Sequence, residues 1–269
     1  MSTMCIVSNW KRPDNLLKIM PELVNQTVPF DKIIVVDNAT SADYAAPNQP
    51  YRREVTGDWI TPDVWRFPDN GMGPTCRFMP AILDYRFDRV LFLDDDFISG
   101  RRMHEFLLEQ DEKLGGEFAT IGQIGRILGD GSGSEEIGQK FKYVVRDVPR
   151  HPLEPKKVDI TCRAHYCHRD LVIDAMLFRD QVMDGSMPPS GDRANWQRHD
   201  DILLSLGIQE AIAWPSYIIP ACEPDQAIIR QNLDDKEHAM HLRPGHIESR
   251  QFLINHAVLE GWWTQLDTR

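Results

Sequence analysis

The sequence predicts one α/β domain built on a doubly wound, mostly parallel sheet. Three observations lead there. The runs "MCIVSN", "KIIVVD" and "RVLFL" are aliphatic or β-branched, have strand length, and end at polar residues. A segment with helical apolar spacing separates the first two, so strand, helix and strand follow one another as a βαβ unit. Elements of both kinds then alternate down the chain, with no internal repeat and no linker that would split it. The 269 residues, 42% of them hydrophobic, are enough to fill one such core.

Taken in order, "MCIVSNW" is the first strand. "RPDNLLKIMPELVNQ" is a helix with Leu16, Leu17, Met20 and Leu23 on its apolar face and Asp14 as its cap after Pro13. "DKIIVVDNAT" is the second strand, ending in Asp37 and Asn38. Residues 39–80 are rich in Pro, Asn, Asp and Gly; they hold a short strand within "EVTGDWITPDVWRFP", and "DNGMGPTCRFMPAILDYRF" turns into a helix. "RVLFLDDD" is a strand and "MHEFLLEQDEKL" an amphipathic helix. "ATIGQIGRIL" reads as one strand, "DGSGSEEIGQ" as a loop, and "KVDITCRAHYCHRDLVIDAML" as a strand followed by a helix. After the loop "GSMPPSGDRANWQRH", a helix starts at "DDILLSLGIQ", with Asp200 or Asp201 suited to its first turn. "AIAWPSYIIP" is a late strand, and "HIESRQFLINHAVLEGWW" a C-terminal helix with Phe252, His256 and Leu259 on one face.

Composition narrows the function classes. No run of eighteen apolar residues exists, and "MSTMCIVSNW" lacks the basic and apolar regions of a secretory signal. The expectation is a soluble, cytoplasmic protein without a membrane span. Five scattered cysteines do not make a disulfide framework. Cys162 and Cys167, with His165 and His168 nearby, suggest a zinc site only weakly, because no second cysteine pair closes it; ordinary thiols are the expectation. The net charge of −11 argues against a general nucleic-acid binder. Yet residues 140–169 carry eight Lys/Arg (Lys140, Lys142, Arg146, Arg150, Lys156, Lys157, Arg163, Arg169), opposed by Asp147, Glu154 and Asp159. That stretch is either a solvated loop or an anion-facing surface.

The chemistry concentrates at "RVLFLDDDFISG". In open α/β sheets, ligands bind beyond the carboxyl ends of the strands. Asp94, Asp95 and Asp96 end one strand, and Asp37 and Asn38 end another, so both clusters face one crevice. Adjacent carboxylates suit a hard cation, Mg²⁺ or Mn²⁺, whose shell phosphate oxygens complete. Such a cation neutralises a leaving diphosphate. A phosphatase or nuclease uses similar clusters, and a solvated acidic turn remains the plainer alternative.

"RFMPAILDYRFDRVLFLDDDFI" resembles the donor-site segment of exostosin-type glycosyltransferases, metal-dependent enzymes of the GT-A fold. The resemblance extends in order through "SNWKRPDNLLKIM", "KIIVVDNAT", "KVDITCRAHYCHRDLV", "RHDDILLS" and "HIESRQFLIN". It implies a single GT-A domain over residues 1–269, with a nucleotide-sugar half at 1–100 and an acceptor half at 101–269 carrying the C-terminal helix. It implies that Arg12 and Asn38 contact uridine, with Asn70 a loose match beside them. Arg77 would contact the phosphate or ribose of the nucleotide. Asp94 and Asp95 would hold ribose or metal-bound water, and Asp96, with Asp94, the metal. Asp201, with Asp200, would lie near the anomeric carbon, and Arg250 would face the diphosphate. Arginine's rigid fork suits phosphate in each such place. His241 and His246 are further metal candidates. Each residue also has an ordinary use: Arg12 and Arg250 as surface arginines, Asp200 and Asp201 as helix caps.

The sequence departs from the family at "DNGMGPTC" before "RF", and at Arg163 and His165, where relatives carry small or apolar residues. The expected activity is metal-dependent transfer of a hexosyl or N-acetylhexosaminyl group from a UDP-sugar, with retention of configuration. The expected acceptor is polyanionic, hydroxymethylated DNA of the kind viral relatives modify, or else a glycan. DNA would require reaching a base held in the stack. A metal-dependent nucleotidyltransferase or phosphatase, and a non-catalytic nucleotide-sugar binder, are the rival classes.

Overall fold

The apolar runs pair as the sequence predicts. β1 (Thr3–Asn9), β2 (Lys32–Asp37) and β6 (Arg89–Leu93) lie side by side and parallel, β1 in the middle. The computed structural model describes residues 1–39, 41–67, 73–127, 146–147, 154–177, 199–219 and 223–233. Within them the other elements are α1 (Pro13–Val24), β3 (Tyr51–Arg52), β4 (Trp59–Ile60), β5 (Asp63–Arg66), α2 (Met79–Leu83), β7 (Phe97–Ile98), α3 (Met103–Lys113), β8 (Ile121–Gly122), β9 (Ile124–Ile127), β10 (Arg146–Asp147), β11 (Lys156–Val158), β12 (Ile160–Cys162), β13 (Ala164–His168), α4 (Asp200–Ile212), β14 (Ser216–Ile218) and β15 (Gln231–Asn232). The main sheet runs β11-β14-β8-β13-β6-β1-β2-β5. Four of its seven pairings are parallel (β1–β2, β1–β6, β2–β5, β8–β14); those of β13 and β11 are antiparallel.

Alternation along the strands loads both faces. Cys5, Val7, Ile33, Val35, Leu91 and Leu93 pack with Leu16, Ile19, Met20 and Leu23 of α1 and Met103, Phe106 and Leu107 of α3. Met4, Ile6, Ile34, Val36, Val90 and Phe92 pack on the opposite face with Phe78, Ala81 of α2, and Leu204 and Ile208 of α4. Burying one such aliphatic side chain stabilises the fold by roughly 1.5–3 kcal/mol. A sheet covered on both faces explains why its strands read as continuous apolar runs.

Several sequence expectations need correction. In α1, Leu17 is exposed and Ile19 takes its place on the buried face. Asp14 does not cap that helix; Arg12 is the N-cap residue, without a side-chain capping bond, and Pro13 opens the first turn. "ATIGQIGRIL" is two strands in different sheets, broken at Gln123, whose Oε1 accepts the Ile229 N–H at 2.5 Å. "KVDITCRAHYCH" is three strands, broken at Asp159 and at Arg163. α4 runs on to Ile212, through residues read as the start of the late strand. Residues 73–78 form a 3-10 turn before the short α2. The expected C-terminal helix and the expected loops at 130–139 and 185–198 lie outside the described residues.

A strap, residues 223–233, crosses the turn after the aspartate triplet. The N–H groups of Arg230 and Leu233 donate to the carbonyls of Ile98 and Asp96 at 2.8 and 2.7 Å. Gly100 makes this approach possible: a Cβ there would stand 2.2 Å from the Asp225 carbonyl oxygen.

Candidate functional site

The parallel register sets the carboxyl ends of β1, β2 and β6 next to one another. Asn9 pairs with Asp37, and Val7 with Leu93, the residue before the triplet. Asn9 Nδ2 donates to Asp37 Oδ1 at 2.8 Å, and Ala46 N–H donates to Asp37 Oδ2 at 2.9 Å. Asn38 is buried beside them and donates its N–H to the Asn9 carbonyl at 3.3 Å.

The three aspartates have three different surroundings. Asp95 turns inward: its carboxylate accepts Arg12 Nη1 at 2.7 Å and Trp10 N–H at 2.6 Å, and its carbonyl accepts Asn15 Nδ2 at 2.8 Å. Burial pushes its pKa up, and Arg12 opposes that. Asp95 thus ties loop 10–12 to the triplet. In that loop Lys11 has φ 62°, and its Nζ lies 5.3 Å from the Trp10 ring and 5.7 Å from the Tyr44 ring.

Asp94 stands at the rim. Its Oδ1 accepts Arg77 Nη1 at 2.7 Å, and its N–H donates to the Arg163 carbonyl at 3.0 Å. Burial pushes its carboxyl up to about 8, with Asp96 and Asp200 adding and Arg77 opposing. The side chain is 36% exposed, so water moderates this shift. Asp96 is the least compensated. Its Oδ1 is buried and has no hydrogen-bond partner among the described residues, and its Oδ2 lies 3.8 Å from Arg163 Nη2.

Arg77 joins the triplet to a helix far along the chain. Only 2% of its side chain is exposed; besides Asp94, its Nε lies 2.6 Å from Asp200 Oδ2. Its guanidinium carbon sits 5.7 Å from the Phe92 ring. Burial works against this cation, but Asp200 and Asp94 outweigh it and raise its pKa. Asp200, itself buried, is pushed up by burial and by Asp201 against the pull of Arg77. Both acids occupy the first turn of α4, where the helix dipole favours negative charge. Asp201 Oδ1 accepts the Ile202 N–H at 2.9 Å.

Of the residues singled out in the sequence, the structure pairs Arg12 with Asp95 and joins Asp94 to Asp200 through Arg77, with Asp201 next to Asp200 in the first turn of α4 and Asp96 next to Asp95 in the triplet. Asn70, Arg250, His241 and His246 lie outside the described residues, as do Lys140, Lys142, Arg150 and the side chain of Arg146. Lys156 and Lys157 are exposed on β11, the outer strand of the sheet. Cys162 and Cys167 are buried thiols, and among the described residues no three His, Cys, Asp or Glu groups converge on a metal position. Sequence reasoning passed over Asn9, Trp10 and Asn15; the polar "SNW" after an apolar run was the available signal for the first two, and Asn15, inside the predicted helix, had none.

A hard cation fits this donor set. Asp96 offers a buried oxygen without a hydrogen-bond partner among the described residues, Asp94 stands two residues away, and phosphate and water oxygens would complete the shell. Among the described residues, no helix is long and apolar enough to cross a membrane.

No protein-family model matches the chain, and no curated protein matches it. The chain is similar to a solved structure of S. aureus TarS residues 1–349 in complex with UDP-GlcNAc, with a TM-score of 0.52 and 13% identity over 96% of this chain and 67% of that one. Two other TarS structures are more distant. One is of S. aureus TarS at a TM-score of 0.45 and 12% identity, covering 84% of this chain and 38% of that one. The other is TarS 1–349 with UDP at 0.45 and 13%, covering 82% and 58%. At these identities the likeness is one of fold. That fold is the α/β, mostly parallel sheet of GT-A type expected from the sequence, with helices on both faces.

Proposed function

We propose that this chain transfers a sugar from a uridine-diphosphate sugar to an acceptor hydroxyl, using Mn²⁺ or Mg²⁺ held by Asp96 and Asp94. The observation that carries the reading is the buried, unpartnered Oδ1 of Asp96 at the carboxyl end of β6. A buried carboxylate oxygen without a partner is expensive, and a cation supplied with the substrate removes that penalty. The similarity in fold to a structure holding UDP-GlcNAc supports the donor class. The proposed unit is one domain over residues 1–269, with the donor on 1–100 and the acceptor on 101–269.

Each residue then has a task. Asp95 fixes Arg12 and loop 10–12, which with Asn38 and Asn70 would hold the uridine. The resemblance gives Arg77 a phosphate or ribose contact; we give it a positioning role instead, because its guanidinium is buried between Asp94 and Asp200. It keeps α4 against the triplet and so sets Asp201 beside the reacting carbon. In the transfer, the bond from the anomeric carbon to the diphosphate breaks, and its electron pair leaves with UDP. The acceptor oxygen bonds to that carbon. Under retention, the outcome the resemblance favours, its proton passes to a phosphate oxygen and Asp201 stabilises positive charge on the sugar; under inversion, Asp201 takes the proton. The bound cation and Arg250 would oppose the charge growing on UDP.

For the acceptor we propose a polyanion, either hydroxymethylated DNA or an acidic glycan. Lys156 and Lys157 on β11 stand four strands from β6, about 19 Å at roughly 4.8 Å per strand. A polymer spans that distance. Exposed lysines also guard sheet edges, so the test must separate the two uses. Affinity for hydroxymethylated DNA should fall steeply with salt and drop further on charge reversal at Lys156 and Lys157. A flat salt response returns these lysines to edge protection.

The donor reading is tested by titrating UDP with and without Mn²⁺. Wild type should bind UDP with Mn²⁺ and lose at least about tenfold in affinity in EDTA, and Asp96→Ala should lose the dependence on the cation. Equal UDP affinity in EDTA would sink the cation assignment.

A further inference from the structure

Arg163 stands against the triplet in a way that a structural arginine would not. Its φ is 68°, left-handed, a conformation a non-glycine residue holds only when its surroundings impose it. The turn is stitched to the site, since the Arg163 carbonyl accepts the Asp94 N–H at 3.0 Å. Nη1 donates to Asn232 Oδ1 at 2.6 Å, which hooks the guanidinium to the strap. Nη2 lies 3.8 Å from Asp96 Oδ2. The other two arginines on the triplet close to 2.7 Å, Arg12 on Asp95 and Arg77 on Asp94, and their side chains are 10% and 2% exposed. Arg163 is 36% exposed and stays open on Asp96, the aspartate whose second oxygen has no partner among the described residues.

We propose that Arg163 is the counter-ion of Asp96 until a nucleoside diphosphate arrives, and then the group that grips the diphosphate. On arrival of donor and cation, the guanidinium leaves Asp96 to the cation and turns to the phosphate oxygens, with its contact to Asn232 as the pivot. Planar guanidinium matches phosphate in two-point contact, and a neutral amide tether leaves its charge free for this. The inference rests on the nucleotide-sugar reading above. It makes Arg163 a competitor of the cation before the nucleotide binds and its collaborator afterwards, so its removal has effects of opposite sign.

The experiment is two titrations, Mn²⁺ alone and UDP in saturating Mn²⁺, on wild type and on Arg163→Gln, Arg163→Lys and Arg163→Gly. Losing one positive charge about 4 Å from the carboxylate should tighten Mn²⁺ alone by about threefold or more and weaken UDP by about tenfold. Arg163→Lys should match wild type with Mn²⁺ alone and lose part of the UDP affinity, because an ammonium gives a point contact. Arg163→Gly keeps the left-handed turn without strain, so it should fold at least as well as wild type and bind like Arg163→Gln. The proposal is overturned if Arg163→Gln moves both affinities in the same direction or leaves both within twofold of wild type, or if Arg163→Gly binds as wild type does. Failure of the nucleotide reading looks different: wild type itself then binds no UDP, while the Mn²⁺ titration still decides whether Arg163 competes at Asp96.

Discussion

Arg77→Met tests how the site is held together. The variant keeps the length and apolar packing of the side chain against Phe92 and removes a charge that two carboxylates share. At 2.6 Å and an effective dielectric of about 20, the attraction between Arg77 and Asp200 is about 6 kcal/mol before desolvation is subtracted. Breaking a buried pair by deleting one partner leaves the other charge uncompensated, which costs roughly 3–5 kcal/mol. Asp200 should bear most of that, because it is 9% exposed, whereas Asp94, at 36%, can turn to water. The expected loss in urea unfolding is therefore about 3–5 kcal/mol, seen as roughly 6–20 °C in Tm for a chain of this size. Asp200→Asn in the same background should recover part of it, leaving a coupling energy of at least about 1 kcal/mol in the double-mutant cycle. A loss under about 1 kcal/mol, or strict additivity of the two substitutions, would refute the picture of Arg77 as the bridge between β6 and α4.

Asp96→Asn should change Tm by no more than a few degrees, since the pair it breaks with Arg163 is open at 3.8 Å and partly exposed, yet cut Mn²⁺-dependent UDP binding by at least about tenfold; calorimetry and thermal melts check both halves. Gly100→Ala drives a Cβ into the Asp225 carbonyl and should cost about 1–3 kcal/mol, with amide exchange rising first at Arg230 and Leu233, whose N–H groups tie down the strap. His104 donates Nδ1–H to the Val28 carbonyl at 2.8 Å, its Nε2 is buried with no partner among the described residues, and burial lowers its pKa. The unfolded chain therefore takes up this proton first as pH falls, so the contribution is full above about 6.5 and is lost below it. Denaturation curves at pH 7.5 and 5.5 should show that loss, and His104→Gln should flatten it; an unchanged slope in the variant would rule His104 out.

Much of the candidate site was legible because its parts are local. An apolar run followed at once by Asp94, Asp95 and Asp96 marks the carboxyl end of a buried strand wherever it occurs, and "KIIVVDN" says the same of Asp37 and Asn38. What joins the parts was not legible. Nothing near Arg77 shows that it will meet Asp200, because that contact depends on α4 packing across the sheet. Nor does a pattern reveal that Arg163 adopts φ 68° and splits one predicted strand into β12 and β13. Helix α4 outran its expected end because Ala211 and Ile212 are as compatible with a strand as with a helix, and packing decides between them. Leu17 was misplaced for a related reason: a helix of this spacing offers Leu16 and Leu17 equally, and the position of the sheet selects Leu16 and Ile19.

Under the proposed function, the triplet serves a sugar nucleotide that is consumed. A panel of UDP-sugars incubated with Mn²⁺, with released UDP as the readout, tests it most directly. Wild type should hydrolyse one donor slowly without acceptor, and Asp96→Ala and Asp201→Asn should both lose that release. Release of UDP by Asp96→Ala at the wild-type rate would contradict it, as would tight UDP-sugar binding with no turnover of any donor.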